Sequence, residues 1–236
     1  AMIVLSDEIM TEARHAGLSH NIHRIPNGVD LSQFYPIEQA QKQAIRATLS
    51  IAEDHFILFF SGRLVHRKRV DILIDAFAQI AHHYPNCRVI IAGTGQSQQD
   101  SVEDDLHQRV HRYKLTQQVK FIGDIESVAD YLRAVDCFVF PSEREGLPNA
   151  VLEAIACGLP IIASRIDALT ALLSDETAYF VDVGDVDNLA NTLAYVLDHP
   201  TEAQHKGYNA TRLAQQYAIT TVANAYETLY RELLRS

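Results

Sequence analysis

The sequence predicts an α/β fold: a three-layer arrangement in which a parallel sheet is covered by helices on both faces. Three observations carry this. Strand-like and helix-like segments alternate from near residue 56 to near residue 198. The strand-like segments are short and apolar on both faces, as in Phe56-Ile57-Leu58-Phe59-Phe60-Ser61. Of the 236 residues, 47% are apolar, enough to build a full core.

The elements follow in chain order. Met2–Ala16 and Ile22–Ile25 read as a strand, a helix and a strand ahead of the main run. A polar, Gln-rich helix spans about Glu38–Leu49. The buried strand Phe56–Ser61 is followed by an amphipathic helix over Val70–His83. Cys87–Ala92 is a second strand, with a polar helix after it through Tyr113. Val119–Ile122 is a third strand, Ser127–Ala134 a helix and Cys137–Phe140 a fourth strand. Pro148–Cys157 is helical and Pro160–Ala163 is the fifth strand. Ala178–Val181 is the sixth, followed by a helix over Val186–Leu197. Two more helices follow Pro200, ending in Ala225–Leu234. No repeat, low-complexity segment or Gly/Ser-rich linker divides the chain, so residues 1–236 are expected to form one domain.

Charge and cysteines narrow the function classes. The net charge is −10, which disfavours bulk binding to nucleic acid or an anionic membrane. An anionic ligand must be held by local charge. The most apolar stretch, Ile155–Ala163, is split by Gly158 and Pro160, and no run approaches the ~20 apolar residues that span a bilayer. No secretory signal is visible at the start. Cys87, Cys137 and Cys157 form no CxxC pair, and each lies in or beside an apolar run. Buried free thiols in a reducing, cytoplasmic setting are expected.

In an open parallel sheet, ligands bind beyond the carboxyl ends of the strands. Four loops there stand out. The first is Gly62-Arg63-Leu64-Val65-His66-Arg67-Lys68-Arg69, with four permanent cations in an acidic chain. Arg63 as a fork and Lys68 as a point charge suit a diphosphate; a solvated basic turn is the alternative. The second, Gly93-Thr94-Gly95, resembles the start of a dinucleotide fingerprint, but Gln98 stands in place of the third glycine. A tight turn leaving the sheet explains it equally well.

The third is Pro141-Ser142-Glu143-Arg144-Glu145-Gly146-Leu147-Pro148-Asn149-Ala150-Val151-Leu152-Glu153. Pro148 suits the first position of a helix. Asn149 and Ala150 then offer free N–H groups at its positive end, which is an anion site. Glu145 lies before that site and Glu153 inside the helix, and carboxylates accept from vicinal hydroxyls such as those of a sugar or ribose. Against this, Glu145 could serve the helix dipole and Glu153 could be a surface residue. The fourth loop, Ser164-Arg165-Ile166-Asp167-Ala168, has no distinctive chemistry of its own. Asp185-Val186-Asp187 is a DxD in letters but opens a helix, where acidic residues act as caps. The eleven histidines contain no HExxH, and no nucleophile elbow is present.

Together these residues resemble a known family. Ile25-Pro26-Asn27-Gly28-Val29-Asp30, with Phe34 and Pro36, looks like the interdomain segment of family 4 glycosyltransferases. Gly62-Arg63-Leu64 with Lys68 resembles their basic loop. Glu145-Gly146-Leu147-Pro148-Asn149 with Glu153 resembles their E-x7-E motif, and Ala156-Cys157-Gly158-Leu159-Pro160-Ile161 its continuation. The resemblance spans about Met2 to Leu234. It implies a Rossmann-like half of a GT-B fold, the donor-binding one, with residues from 1 to about 36 as the interdomain segment and start, and about 200–236 as C-terminal helices. The acceptor domain would precede this chain.

The resemblance also implies roles. Arg63 and Lys68 neutralise the diphosphate leaving group, and Glu145 holds hydroxyls of the donor sugar. Glu153 holds the ribose. Gly62 and the segment Gly146, Leu147, Pro148, Asn149 and Ala150 bind phosphate and sugar through the backbone. Gly93, Phe121 and Ile122 line the base pocket. The implied reaction is metal-independent, retaining transfer from a UDP-, GDP- or ADP-sugar to a glycan or lipid acceptor, with no other cofactor. The acceptor would be met through the preceding domain, which would also be the route to a peripheral position at the inner membrane.

Three positions depart from the family pattern: Arg69 for the usual Gly, Asp167-Ala168 for Gly-Gly, and Ala171 for Glu. They alter the loop near the sugar and leave donor choice open. The rival readings are a nucleotide-sugar epimerase, opposed by the intact E-x7-E; an NAD-binding module, opposed by the missing third glycine; and a non-catalytic nucleotide-sugar-binding module.

Overall fold

The computed structural model describes every residue except Ser19, Ser97 and Ser236, and every other side chain but those of Asp7 and Glu8. The elements are β1 (Met2–Val4), α1 (Asp7–His15), β2 (Ile22–Arg24), α2 (Gln39–Thr48), β3 (Phe56–Ser61), α3 (Val70–Ile80), β4 (Cys87–Ala92), α4 (Glu103–Arg112) and β5 (Val119–Gly123). Then come α5 (Val128–Ala134), β6 (Cys137–Phe140), α6 (Asn149–Ala156), β7 (Ile161–Ser164), α7 (Asp167–Thr170), β8 (Tyr179–Val181), α8 (Val186–Asp198), α9 (Pro200–Ala214) and α10 (Ile219–Leu233).

β3 to β8 form one parallel sheet in the order β5-β4-β3-β6-β7-β8. The chain builds outward from β3 to β5, then returns beside β3 with β6 and builds the other way. That reversal opens a crevice at the carboxyl ends of β3 and β6. The register pairs Phe59 with Phe138, and both rings are fully buried. Phe60 and Phe140 stack at 6.2 Å and Phe138 and Phe140 at 5.9 Å, so aromatic rings fill the centre of the sheet.

Helices cover both faces as expected. α9 lies close to the turn before β7, where a Cβ on Gly207 would come within 2.5 Å of the Leu159 carbonyl carbon. β1 and β2 form a separate parallel pair. The chain returns to that end: Val29 N–H donates to the Tyr217 carbonyl at 2.7 Å, and Ile219 N–H to the Val29 carbonyl at 2.9 Å. There Ile25, Val222 and Leu229 form a second small core with Ile3 and Tyr226.

Three details differ from the sequence expectation. α3 ends at Ile80 rather than His83, because the chain tightens there into three-residue turns, with His83 N–H donating to the Ile80 carbonyl at 2.9 Å and Tyr84 N–H to the Ala81 carbonyl at 3.3 Å. Pro148 is the N-cap of α6, in extended geometry (φ −77°, ψ 114°), with Asn149 as the first helical residue. The one-turn helix α7 occupies the fourth loop.

One polar network ties α2 to the amino ends of the strands. Arg46, 5% exposed, donates from Nε to the Ala134 carbonyl at 2.7 Å and from NH1 to the His55 carbonyl at 3.0 Å. Its NH2 pairs with Asp136, which also accepts from Lys42 Nζ at 2.6 Å and from Ile57 N–H at 2.7 Å.

All three cysteines are buried and free. Burial is the first cause pushing the Cys87 and Cys157 thiols up to about 12, and Cys137 is raised as well. A thiol reagent at pH 8 is therefore expected to label none of them in the folded protein and all three in denaturant. Rapid labelling of the native chain would contradict this packing.

Candidate functional site at the strand reversal

The carboxyl ends of β3, β4 and β5 are stitched together by their backbones. Gly62 N–H donates to the Ala92 carbonyl at 3.0 Å, Leu64 N–H to the Thr94 carbonyl at 2.9 Å, and Gly93 N–H to the Gly123 carbonyl at 2.7 Å. Gly93 has φ +116°, and a Cβ there would stand 2.1 Å from the Gly62 oxygen. Only glycine fits so close a backbone crossing.

The basic loop then makes a short 3-10 turn over His66–Lys68 and reaches Arg69 at φ +50°. This left-handed position favours glycine, and Arg69 occupies it at a cost in backbone strain. Ion pairs offset the cost: Arg69 Nε to Asp71 at 3.2 Å and NH1 to Glu143 at 3.3 Å. Hydrogen bonds to Asp71 are the first cause raising its guanidinium still further. Glu143 N–H also donates to the Arg67 carbonyl at 2.9 Å, so Glu143 by itself joins the loops after β3 and β6 through both its side chain and its backbone.

Between those loops sits an ion-pair cluster. Lys68 is nearly buried, with Nζ 4.7 Å from the centroid of the Phe140 ring. It donates to Glu145 Oε1 at 2.6 Å, and Arg67 NH1 donates to the same oxygen at 3.3 Å. The Glu145 side chain is 8% exposed. Burial lowers the Lys68 pKa, and Glu145 opposes that shift. The residues expected to hold phosphate and sugar thus touch each other. A lysine ammonium has three donors, so Lys68 can hold Glu145 and still reach a phosphate oxygen.

Beside this cluster lies an open cleft of about 630 Å³, lined by Gly62, Arg63, Gly93, Asn149, Ala150 and Glu153 among others. Arg63 NH1 touches only the Gln98 side chain, at 3.1 Å, among the described residues. At the start of α6 the Pro148 carbonyl accepts from Val151 and Leu152 N–H groups. Among the described residues, no acceptor meets the Asn149 and Ala150 N–H groups, which form the positive end of the helix. Glu145 lines a neighbouring hollow of about 540 Å³ with Ile9, Glu12, Arg67, Arg144 and Gly146.

No hydrogen bond or ion pair among the described residues reaches the Glu153 carboxylate, and burial raises its pKa above 4.5. A carboxylate whose folded pKa is raised destabilises the fold where it is ionised in both states, and not where it is protonated in both. Glu153→Gln is therefore expected to raise the urea midpoint at neutral pH. The gain should shrink as pH falls through the folded pKa and vanish below 4.5. A midpoint that drops at neutral pH would show that Glu153 has structural partners.

The structure gathers Gly62, Arg63, Gly93, Asn149, Ala150 and Glu153 in the cleft, with Lys68, Glu145 and Gly146 next to it. Leu147 and Pro148 lie outside the cleft lining. Leu147 offers its carbonyl to Asn27 Nδ2 at 3.2 Å, which ties the early segment to the helix start. Phe121 and Ile122 point elsewhere. The Phe121 ring packs on His107 at 4.0 Å, and Ile122 lines a separate cavity of about 250 Å³ with Ile57, Ile90 and Tyr131. Asp124, Ile125 and Val128 line the cleft instead.

Sequence reasoning missed these three residues and Arg67. Asp124 and Ile125 were reachable by the rule that ligands meet residues just past a strand end. Asp185 caps α8 by accepting from Asn188 N–H at 2.8 Å, and Asp187 accepts from Gln79 at 2.8 Å.

Residues 41–213 match the family described as glycosyl transferases group 1. The lipopolysaccharide core biosynthesis mannosyltransferase LpsB of Rhizobium meliloti is 27% identical over 89% of this chain and 61% of its own length. Sucrose-phosphate synthase from Thermosynechococcus elongatus superposes with a TM-score of 0.87 at 29% identity, covering 99% of this chain and 58% of that one. Anabaena HepE, solved with UDP-glucose, gives 0.86 at 25% identity, over 99% of this chain and 63% of its own. The chain therefore spans about three fifths of these relatives' length. With the family matched over most of its residues, and a six-stranded parallel sheet like those of GT-B glycosyltransferases, the chain belongs to the glycosyl transferases group 1 family and has the Rossmann-like architecture of one half of a GT-B enzyme.

Proposed function

We propose that this chain binds a nucleoside diphosphate sugar and serves as the donor half of a retaining, metal-independent glycosyltransferase. The observation that carries this reading is the convergence of Arg63, the open start of α6 and Glu153 in one cleft, with Lys68 and Glu145 at its side. Family membership and the UDP-glucose bound to HepE support it. The donor carries UDP, GDP or ADP. The diphosphate lies against Arg63 and the Asn149 and Ala150 N–H groups, and the ribose lies at Glu153. The base extends toward Gly93 and the ends of β4 and β5. The acceptor, a glycan or lipid, is held outside these 236 residues. Three buried free thiols suit a reducing compartment, the cytoplasm.

Transfer breaks the bond between the anomeric carbon and the diphosphate and forms one to an acceptor oxygen. Positive charge develops on the sugar and negative charge on the leaving group. Arg63 and the helix start sit where the negative charge grows, so they act mainly in the transition state. Lys68 links the two sides, with one donor on Glu145 and two for the phosphate. Glu145 faces the sugar side, held there by Lys68 and Arg67.

Calorimetry of Arg63→Ala tests the reading. A charge-assisted contact contributes about 1.5–3 kcal/mol, so nucleoside diphosphate affinity should fall roughly ten- to a hundredfold while nucleoside binding holds. EDTA should leave wild-type binding unchanged. Equal losses for nucleoside and diphosphate would put the phosphates elsewhere, and loss in EDTA restored by Mn²⁺ would make the site metal-dependent.

A further inference from the structure

The end of the cleft away from α6 carries a carboxylate that the proposed chemistry does not use. Asp124 follows β5 directly, and Thr94 follows β4. Both line the cleft, with Ile125 and Val128 beside them as apolar surface. Thr94 Oγ1 donates toward both carboxylate oxygens of Asp124, at 3.3 Å to Oδ2 and 3.5 Å to Oδ1. No cation pairs with Asp124 among the described residues. The group is oriented by a neighbour, and its remaining lone pairs are open to a ligand.

The inference rests on the cleft being a nucleoside diphosphate site. With phosphates at the β3–β6 reversal, the base extends across β4 toward β5, and its polar edge meets Asp124. An ionised carboxylate only accepts hydrogen bonds. Guanine presents two donors side by side, N1–H and the exocyclic N2 amine, and one carboxylate can take both. Uracil presents a single N3–H between two carbonyl oxygens, which a carboxylate repels. Adenine sets its N6 amine beside N1, an acceptor. Apolar Ile125 and Val128 suit a base face, and the two oxygens of Asp124 suit the donor pair of guanine alone among these three.

We propose that the cleft is specific for a guanosine diphosphate sugar. Asp124 is its specificity-determining residue, accepting from N1–H and the N2 amine, and Thr94 sets the plane of the carboxylate.

The test is a titration panel on this chain with GDP, IDP, XDP, UDP and ADP. Wild type should bind GDP roughly ten- to a hundredfold tighter than UDP or ADP, the range of one bidentate base contact. IDP, which lacks the N2 amine, should fall between. Asp124→Ala should remove the GDP advantage, by weakening GDP and by relieving the repulsion of the uracil carbonyls in UDP. Asp124→Asn offers an amide donor to the oxygen at C2 of xanthine, so it should move the preference from GDP toward XDP. UDP binding as tightly as GDP in the wild type, or a GDP preference that survives Asp124→Ala, overturns the assignment. If UDP binds with full dependence on Arg63 and no base is preferred, the base assignment alone fails. If no nucleotide binds, the donor reading fails with it.

Discussion

Arg46→Ala is expected to destabilise the fold by about 3–5 kcal/mol, the cost of breaking a buried ion pair by removing one partner. Arg46 satisfies carbonyls of residues 53, 55 and 134 and pairs with Asp136. Its loss leaves those acceptors and a mostly buried carboxylate short of partners. Asp136 in turn accepts from the N–H of Ile57 in β3 and from Lys42 in α2. One side-chain deletion therefore loosens α2, the start of β3 and the turn into β6 together. For a domain of this size the thermal midpoint should fall by roughly 6–20 °C. Urea unfolding measures it, with a lower midpoint and an unchanged slope if the native surface is otherwise kept. A loss under about 1 kcal/mol would mean that solvent satisfies these groups as well as Arg46 does.

Glu145→Gln is expected to have the largest effect on turnover. In an enzyme that also holds the acceptor, kcat should fall on the order of a hundredfold or more, the scale of losing one preorganised electrostatic contact in the transition state. The glutamine keeps the shape and removes the negative charge proposed to stabilise the cation forming on the sugar. It also removes the partner of Lys68 and Arg67, both on Oε1. Lys68 is then freer to meet phosphate, so affinity for nucleotide should hold or rise while kcat falls. Lys68→Ala should instead weaken diphosphate binding. A Glu145→Gln enzyme with normal kcat would show that the cluster is structural.

The main sheet was legible because parallel strands buried on both faces read as unbroken apolar runs, and all six lie where the runs lie. The same property hid which face each residue takes. Phe121 and Ile122 were both expected at the base pocket, yet one packs on His107 and the other lines a different cavity. Alternation cannot be read where both faces are apolar. Helix α7 has four residues, too few for a period to show. Arg63, Glu153 and the start of α6 were legible as residues at strand ends and a helix start, and the cleft holds all three. The Lys68–Glu145 pair was not, because it joins positions 77 apart through side-chain direction. Arg67 escaped for the same reason: in the sequence it is one cation among four.

The most direct test of the donor-site account is a pair of calorimetric titrations, nucleotide and nucleotide sugar, on Glu153→Gln and Glu145→Gln chains. Glu153 is proposed to hold the ribose and Glu145 the sugar, with the phosphates between. Glu153→Gln should weaken both ligands alike, by about 1–3 kcal/mol if the ribose bonds are charge-assisted. Glu145→Gln should leave nucleotide affinity intact and reduce only the additional affinity contributed by the sugar. Equal loss of nucleotide binding in both variants, or no loss in either, would contradict the placement of the two carboxylates on opposite sides of the phosphate site.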